Sequence, residues 1–225
     1  MSLSHYFTEI ADAATSMVLV EEISHRVLNE YTEAICACEE AAATATDQGS
    51  VDAITRASNR LRALAEAHRA LQAPIEEGPR ALAPYLAKIC VRLSNAELAI
   101  RGIRLTIGAE DIELSSTQCW HVGLIVAELV RNASRHGLGG RAGEIRIGVT
   151  ERFGIVRCTV QNHGGTAPPN GAGRGCRLAG AIAARLGGNV DWTYSPAGCQ
   201  ATLEFGAAVE PPNIYPSVRE RARLH

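Results

Sequence analysis

Aromatic residues make up only 4% of this 225-residue chain, and no apolar run approaches the ~20 residues that a membrane-crossing helix needs. Positive charge is not concentrated anywhere. The 22 Lys and Arg stand against 24 Asp and Glu, a formal net charge of -2, with no basic block. A phosphate-tracking groove lined by stacking aromatics is therefore not expected, and neither nucleic acid nor a membrane is an expected partner. The amino terminus, Met1-Ser2-Leu3-Ser4-His5, has no basic region leading into an apolar core, so the expected location is cytoplasmic. Cys-x-x-Cys pairs are missing as well. The seven cysteines, at positions 36, 38, 90, 119, 158, 176 and 199, are odd in number and no His stands at zinc-ligand spacing. Cys36 and Cys38 would lie about 200° apart on a helix, which argues against a shared metal. Most of the seven read as small core residues in a reducing compartment.

What remains, 46% hydrophobic and 20% charged, is a globular composition with room for two domains. Glycine and proline are absent from about Ser4 to Ala43, where Val20, Ile23, Val27, Tyr31, Ala34 and Cys38 recur at steps of three and four. That spacing predicts a long amphipathic helix. The polar stretch Thr44 to Ser50 predicts a turn, and Val51 to Leu71 a second helix with Ile54, Ala57, Leu61, Leu64 and Leu71 in the same rhythm and His68 in the remaining slot. Two such stripes form half of a four-helix bundle, and a second copy would complete it, so a homodimer is expected. Gln72 to Pro79 reads as a linker. Beyond it the texture changes: helices over 81–98, 116–136 and 178–186, strands over 103–107, 144–149, 155–160, 189–194 and 200–205, the last two joined by the turn Ser195 to Gly198. The expected class is α+β: an antiparallel helical hairpin (1–73), then an α/β sandwich with a mixed sheet (80–209), then an irregular tail (210–225).

Three segments carry candidate chemistry. Within Glu128-Leu129-Val130-Arg131-Asn132-Ala133-Ser134-Arg135-His136-Gly137, the residues Glu128, Asn132 and His136 stand four apart. Each step of four turns a helix by only about 40° and climbs about 6 Å, so the three share a polar strip opposite Leu124, Ile125, Leu129 and Ala133. Glu128 can accept a proton or orient water, Asn132 offers the hard oxygen that Mg²⁺ prefers, and His136 or Arg135 can meet phosphate oxygens. In Glu22-Ile23-Ser24-His25-Arg26-Val27-Leu28-Asn29, His25 projects about 160° from the Val20/Val27 stripe. An exposed neutral imidazole is a competent nucleophile toward phosphorus, and Asn29 one turn on can bond a water or phosphoryl oxygen beside it. Finally, Asn162-His163-Gly164-Gly165 and Gly171-Ala172-Gly173-Arg174-Gly175-Cys176 are glycine-rich, the second leading into a helix. Such loops let a backbone approach a ligand, and the helix start supplies N–H groups for anionic oxygens.

Together these segments resemble bacterial histidine kinases of two-component signalling, the branch whose phospho-acceptor box reads H-R-x-x-N, in this chain His25-Arg26-Val27-Leu28-Asn29. The 128–137 helix is similar to the family's N box, Asn162 to Gly165 to a degenerate first glycine box, and Gly173 to Gly175 with Leu178 to the second. The resemblance spans about 18–206 in motif order. It implies a dimerisation and phosphotransfer hairpin followed by a Bergerat-fold domain that binds ATP with Mg²⁺. It further implies transfer of the γ-phosphoryl group to His25 and then to a response-regulator receiver, with the signal arriving through an upstream sensor protein. By that resemblance Asn132 would ligate Mg²⁺, Glu128 would assist in-line transfer, His136 would approach phosphate, Asn162 would meet the adenine, and Gly164, Gly173 and Gly175 would shape the nucleotide loops. The family usually has Asp where this chain has Asn162, and Thr166 replaces a usual glycine; only Thr166 to Ala172 separate the glycine boxes, a short lid. Two alternatives follow: a histidine phosphotransferase relaying phosphate between receivers without ATP, and, ranked lower, a partner-sequestering regulator like the Bergerat-fold anti-sigma factors.

Overall fold

The chain folds, in a computed structural model that describes residues 3–164, 174–195 and 198–207 and the side chains of the first helix from Ser24 onward, as a helical hairpin followed by an α/β domain with a mixed sheet. Helix α1 (Leu3–Thr44) runs unbroken for 42 residues, as the missing glycine and proline require. Three residues later α2 (Gln48–Ala70) returns antiparallel, started by Asp47, whose carboxylate accepts from the Ser50 N–H at 2.8 Å. The inward face of α1 lies toward Leu28, 9% exposed, with Val27, Tyr31, Ala34 and Cys38 half-buried beside it.

After the linker comes a short ribbon that the sequence pattern did not show, β1 (Pro79–Ala81) paired antiparallel with β3 (Glu113–Ser115). Three residues are too few for an alternation to register. Helix α3 (Leu82–Leu93) continues into a π turn over Ser94–Leu98. Strand β2 (Ile103–Ala109) precedes β3, and a capping box, Ser115 with Gln118, then starts α4 (Ser116–Asn132), which passes into a second π turn over Ala133–Gly137. Strands β4 (Gly143–Arg152) and β5 (Ile155–Asn162), helix α5 (Arg174–Arg185), and strands β6 (Asn189–Ser195) and β7 (Gly198–Gly206) complete the domain. The sheet order is β2-β4-β5-β7-β6, parallel only between β2 and β4, which α4 connects. The tail expected over 210–225 lies outside the described residues.

Alternation along the strands decides which side chains meet the helices. Ile145, Ile147 and Val149 of β4, Val156, Cys158 and Val160 of β5, and Leu203 and Phe205 of β7 are buried, while Arg146, Arg157 and Gln161 point out. Helix α4 is buried on two sides, through Val122, Ile125, Val126, Leu129 and Val130. The same apolar core takes in Ala67 of α2, and Ala63, Leu64, Ala70 and Leu71 pack against it. The Trp120 indole N–H donates to the Leu71 carbonyl at 3.0 Å, and Arg92 pairs with Glu66 at 3.3 Å. The end of the hairpin is thus built into the interior of the α/β domain.

Candidate functional site

Glu128 and Asn132 keep the strip that the four-residue spacing predicts: both are half-buried on the side of α4 that faces α5. Gly175, in the first turn of α5, stands directly on them. A Cβ built there would fall 2.8 Å from Glu128 Oε2 and 3.0 Å from both amide atoms of Asn132, closer than side chains pack. Cys176 follows, its Sγ accepting from Asn132 Nδ2 at 3.8 Å. The start of a 12-residue helix, whose first N–H groups have no partner within the helix, is therefore set against a carboxylate and an amide. Glu128 is also paired with Arg131 at 3.4 Å, and Arg131 bridges on to Glu97 of the first π turn at 3.0 Å.

The i to i+5 bond from Leu138 N–H to the Ala133 carbonyl, 2.8 Å, marks the wider turn that begins after Asn132; on it Arg135 and His136 are exposed, whereas Glu128 and Asn132 are half-buried. Gly137 closes this turn against the sheet: a Cβ on it would lie 2.4 Å from Asn162 Nδ2.

Asn162 occupies the inward position that follows Val156, Cys158 and Val160, so strand register carries an amide into the core, 2% exposed. Its Nδ2 donates to the Gly164 carbonyl at 3.4 Å. Gly164 in turn passes so close to the second π turn that an added Cβ would sit 1.8 Å from the Gly137 carbonyl oxygen. Across the sheet, Asn162 is directly opposite Ile145 on one side and Cys199 on the other, and Cys199 is opposite Tyr194. Burial, then the neighbouring Cys176 thiol, pushes the Cys199 thiol up; burial, then Cys199 and Cys176, raises Tyr194. Cys176, Cys199 and Tyr194 therefore border the site, a placement that spacing along the sequence could not supply. The expected loop residue Gly173 lies outside the described residues.

On the hairpin, His25 and Asn29 are both exposed, one turn apart. Behind His25, Ser24 Oγ lies 3.0 Å from Nε2 of His68 on α2. Burial, then the charge of Arg131, lowers the His68 pKa. The turn bearing His25 is thus tied through one imidazole to the last turn of α2. A separate groove of about 740 Å³ between the linker and α3, lined by Arg69, Ile75, Arg80, Tyr85 and Lys88, includes none of these residues.

Cys90 and Cys119 are pushed up to about 11 and Cys158 to about 12 by burial, which makes them inert core thiols. Among the described residues no cluster of three or more His, Cys, Asp or Glu could hold a metal, and no helix is long and apolar enough to cross a membrane.

No protein-family model matches the sequence, and no curated protein does. Among solved structures, the histidine kinase domain of the Erythrobacter litoralis EL346 blue-light activated histidine kinase has a TM-score of 0.54 at 19% identity, covering 78% of this chain and 96% of that one. The catalytic domain of the histidine kinase ThkA gives 0.51 at 20% identity, over 60% of this chain and 100% of that one. Full-length ShkA in complex with AMPPNP gives 0.52 at 17% identity, over 84% of this chain and 46% of that one. At these identities the likeness is one of fold: a helical hairpin joined to an α/β domain is the architecture of histidine kinase domains.

Proposed function

We propose that this chain is a histidine-kinase-like signalling protein that binds ATP with Mg²⁺ between α4 and α5, accepts its γ-phosphoryl group on His25 and yields it to an aspartate of a response-regulator receiver. The observation that carries the reading is the seating of Gly175 on Glu128 and Asn132, a close approach of helix start to polar strip in which any side chain would fill the space. A bound Mg²⁺ would supply charge neutralisation, and a single amide oxygen from Asn132 suits it, because Mg²⁺ is usually held by one or two protein ligands together with substrate phosphates. The first N–H groups of α5 would bind phosphate oxygens, and Asn162 would accept from the adenine amino group in a Bergerat-type pocket.

In the transfer, a ring nitrogen of His25 attacks the γ-phosphorus as the bond to the bridging oxygen breaks. ADP leaves, and the proton on the other ring nitrogen passes to a base, for which Glu128 is the candidate carboxylate. Asn29, one turn from His25, would hold a phosphoryl oxygen or a water. The reading also includes a homodimer built on the half-buried seam of Val27, Tyr31, Ala34 and Cys38, a cytoplasmic location and an upstream sensor protein as the source of signal.

A thermal-shift titration with Mg-ATP tests the nucleotide step. Binding at about 100 times Kd stabilises the fold by about 2.7 kcal/mol, and Asn132→Ala abolishes the shift. A flat titration with the wild-type chain, alongside labelling of His25 by a phosphorylated receiver, would replace the kinase reading with the phosphotransferase one.

A further inference from the structure

The hydrogen bond between Ser24 and His68 does not belong to the proposed nucleotide site, yet it joins the turn that carries His25 to the end of α2 that packs into the α/β domain. His68 lies in the last turn of α2. One residue before it, Ala67 is 3% exposed in the shared core, and three residues after it the Leu71 carbonyl accepts from Trp120 of α4. Around the ring, Ser24 approaches from α1 at 3.0 Å, and the charge of Arg131, itself bonded to Glu128 and Glu97, reaches it from α4. His68 thus stands between the turn that carries His25 and the end of α2 that is anchored in the α/β domain.

We infer that His68 is a positioning residue for phosphoryl transfer: by holding the Ser24 hydroxyl it fixes the turn of α1 that presents His25, and by its place at the anchored end of α2 it refers that turn to Glu128 and Asn132. This rests on the reading of His25 as acceptor and α4–α5 as the ATP site. The physical reason is that transfer between two sites on separate elements depends steeply on approach geometry, and a displacement of about 1 Å can cost about 100-fold in rate. The ring nitrogen can accept from the Ser24 hydroxyl or donate to it, so the tie does not depend on one tautomer. Neither partner is in the polar strip, so nucleotide binding does not depend on it.

The test uses the full chain and two phosphoryl donors, Mg-ATP and phosphoramidate, a small molecule that phosphorylates an accessible imidazole without help from a nucleotide site. His68→Ala and Ser24→Ala are each expected to slow labelling of His25 from Mg-ATP by about tenfold in kcat with KM for ATP unchanged. The double variant should be no slower than either single one, and His68→Asn, which keeps an amide able to bond the hydroxyl, should recover most of the rate. Labelling by phosphoramidate should be equal in all of these chains. Wild-type kcat from Mg-ATP in both single variants would overturn the inference, as would an equal loss with phosphoramidate, which would mean that His68 acts on the reactivity of the imidazole and not on its placement. A wild-type chain labelled by phosphoramidate but not by Mg-ATP would defeat the ATP reading and the role of His68 together.

Discussion

Asn162 is where a single residue is asked for two things. As a buried amide it donates to the Gly164 carbonyl and packs on Gly137; in the proposed nucleotide pocket it would also accept a hydrogen bond from adenine, without charge. Asn162→Asp should therefore have effects of opposite sign. Nucleotide Kd should tighten by about fivefold, about 1 kcal/mol, because a charge-assisted bond replaces a neutral one. The unliganded fold should lose about 1–3 kcal/mol, because a carboxylate at a 2% exposed position gives up hydration and cannot donate to Gly164. Isothermal titration and urea unfolding would check the two halves; equal changes of one sign in both would count against the adenine role. Gly164→Ala should cost about 3 kcal/mol, at the upper end of overpacking, since the obstruction 1.8 Å away is a backbone carbonyl that cannot rotate aside. A variant as stable as wild type in urea would show that the loop can move off the second π turn. Gly175→Ala differs, because its neighbours are side-chain ends that can yield: stability should hardly change, whereas Mg-ATP binding should weaken about tenfold or more as Glu128 and Asn132 are displaced.

At the scale of the element, α1 and α4 were legible because nothing interrupts their periodicity. The absence of glycine and proline fixes the phase of α1 well enough to place His25 outside, although the buried side falls nearer Leu28 than Val27. The strip of α4 was legible as far as Asn132. The π turn that follows, on which His136 is exposed, leaves no mark in spacing. The contact of Gly175 with Asn132, and the row Ile145, Asn162, Cys199, Tyr194, depend on register and packing between elements far apart in sequence, which local pattern does not encode. His68 was visible only as an irregularity in an apolar stripe. Its energetics, with those of His121, give a pH dependence. Burial, then Arg131 in one case and Arg185 in the other, holds both imidazoles below their ordinary pKa of 6.5. In acid the unfolded chain therefore takes up protons that the folded chain refuses, so stability is full above about pH 6.5 and falls as pH drops through the lowered folded values. Urea midpoints measured between pH 7.5 and 5 should decline toward acid, and the decline should be shallower in His68→Gln and His121→Gln. Identical slopes in variants and wild type would contradict the assignment.

Across the whole molecule, the hairpin and the α/β domain are coupled through one end of α2: Ala67 lies in the shared core with Ala63, Leu64, Ala70 and Leu71 packed against it, Arg92 pairs with Glu66, and Trp120 donates to the Leu71 carbonyl. Trp120→Phe keeps most of the apolar area and removes the N–H, which should cost about 1–2 kcal/mol because the carbonyl is left without its partner. Amide exchange should quicken in the last turns of α2 while the sheet stays protected; unchanged exchange there would mean that the core contacts alone hold the hairpin. The most direct measurement is of the label itself. Wild-type chain and His25→Gln are incubated with Mg-[γ-³²P]ATP, and the bound phosphate is tested for stability in acid and alkali and mapped by mass spectrometry. The account predicts an acid-labile, alkali-stable label on His25 that disappears in His25→Gln. A label that survives the substitution, or that maps to another residue, would contradict it.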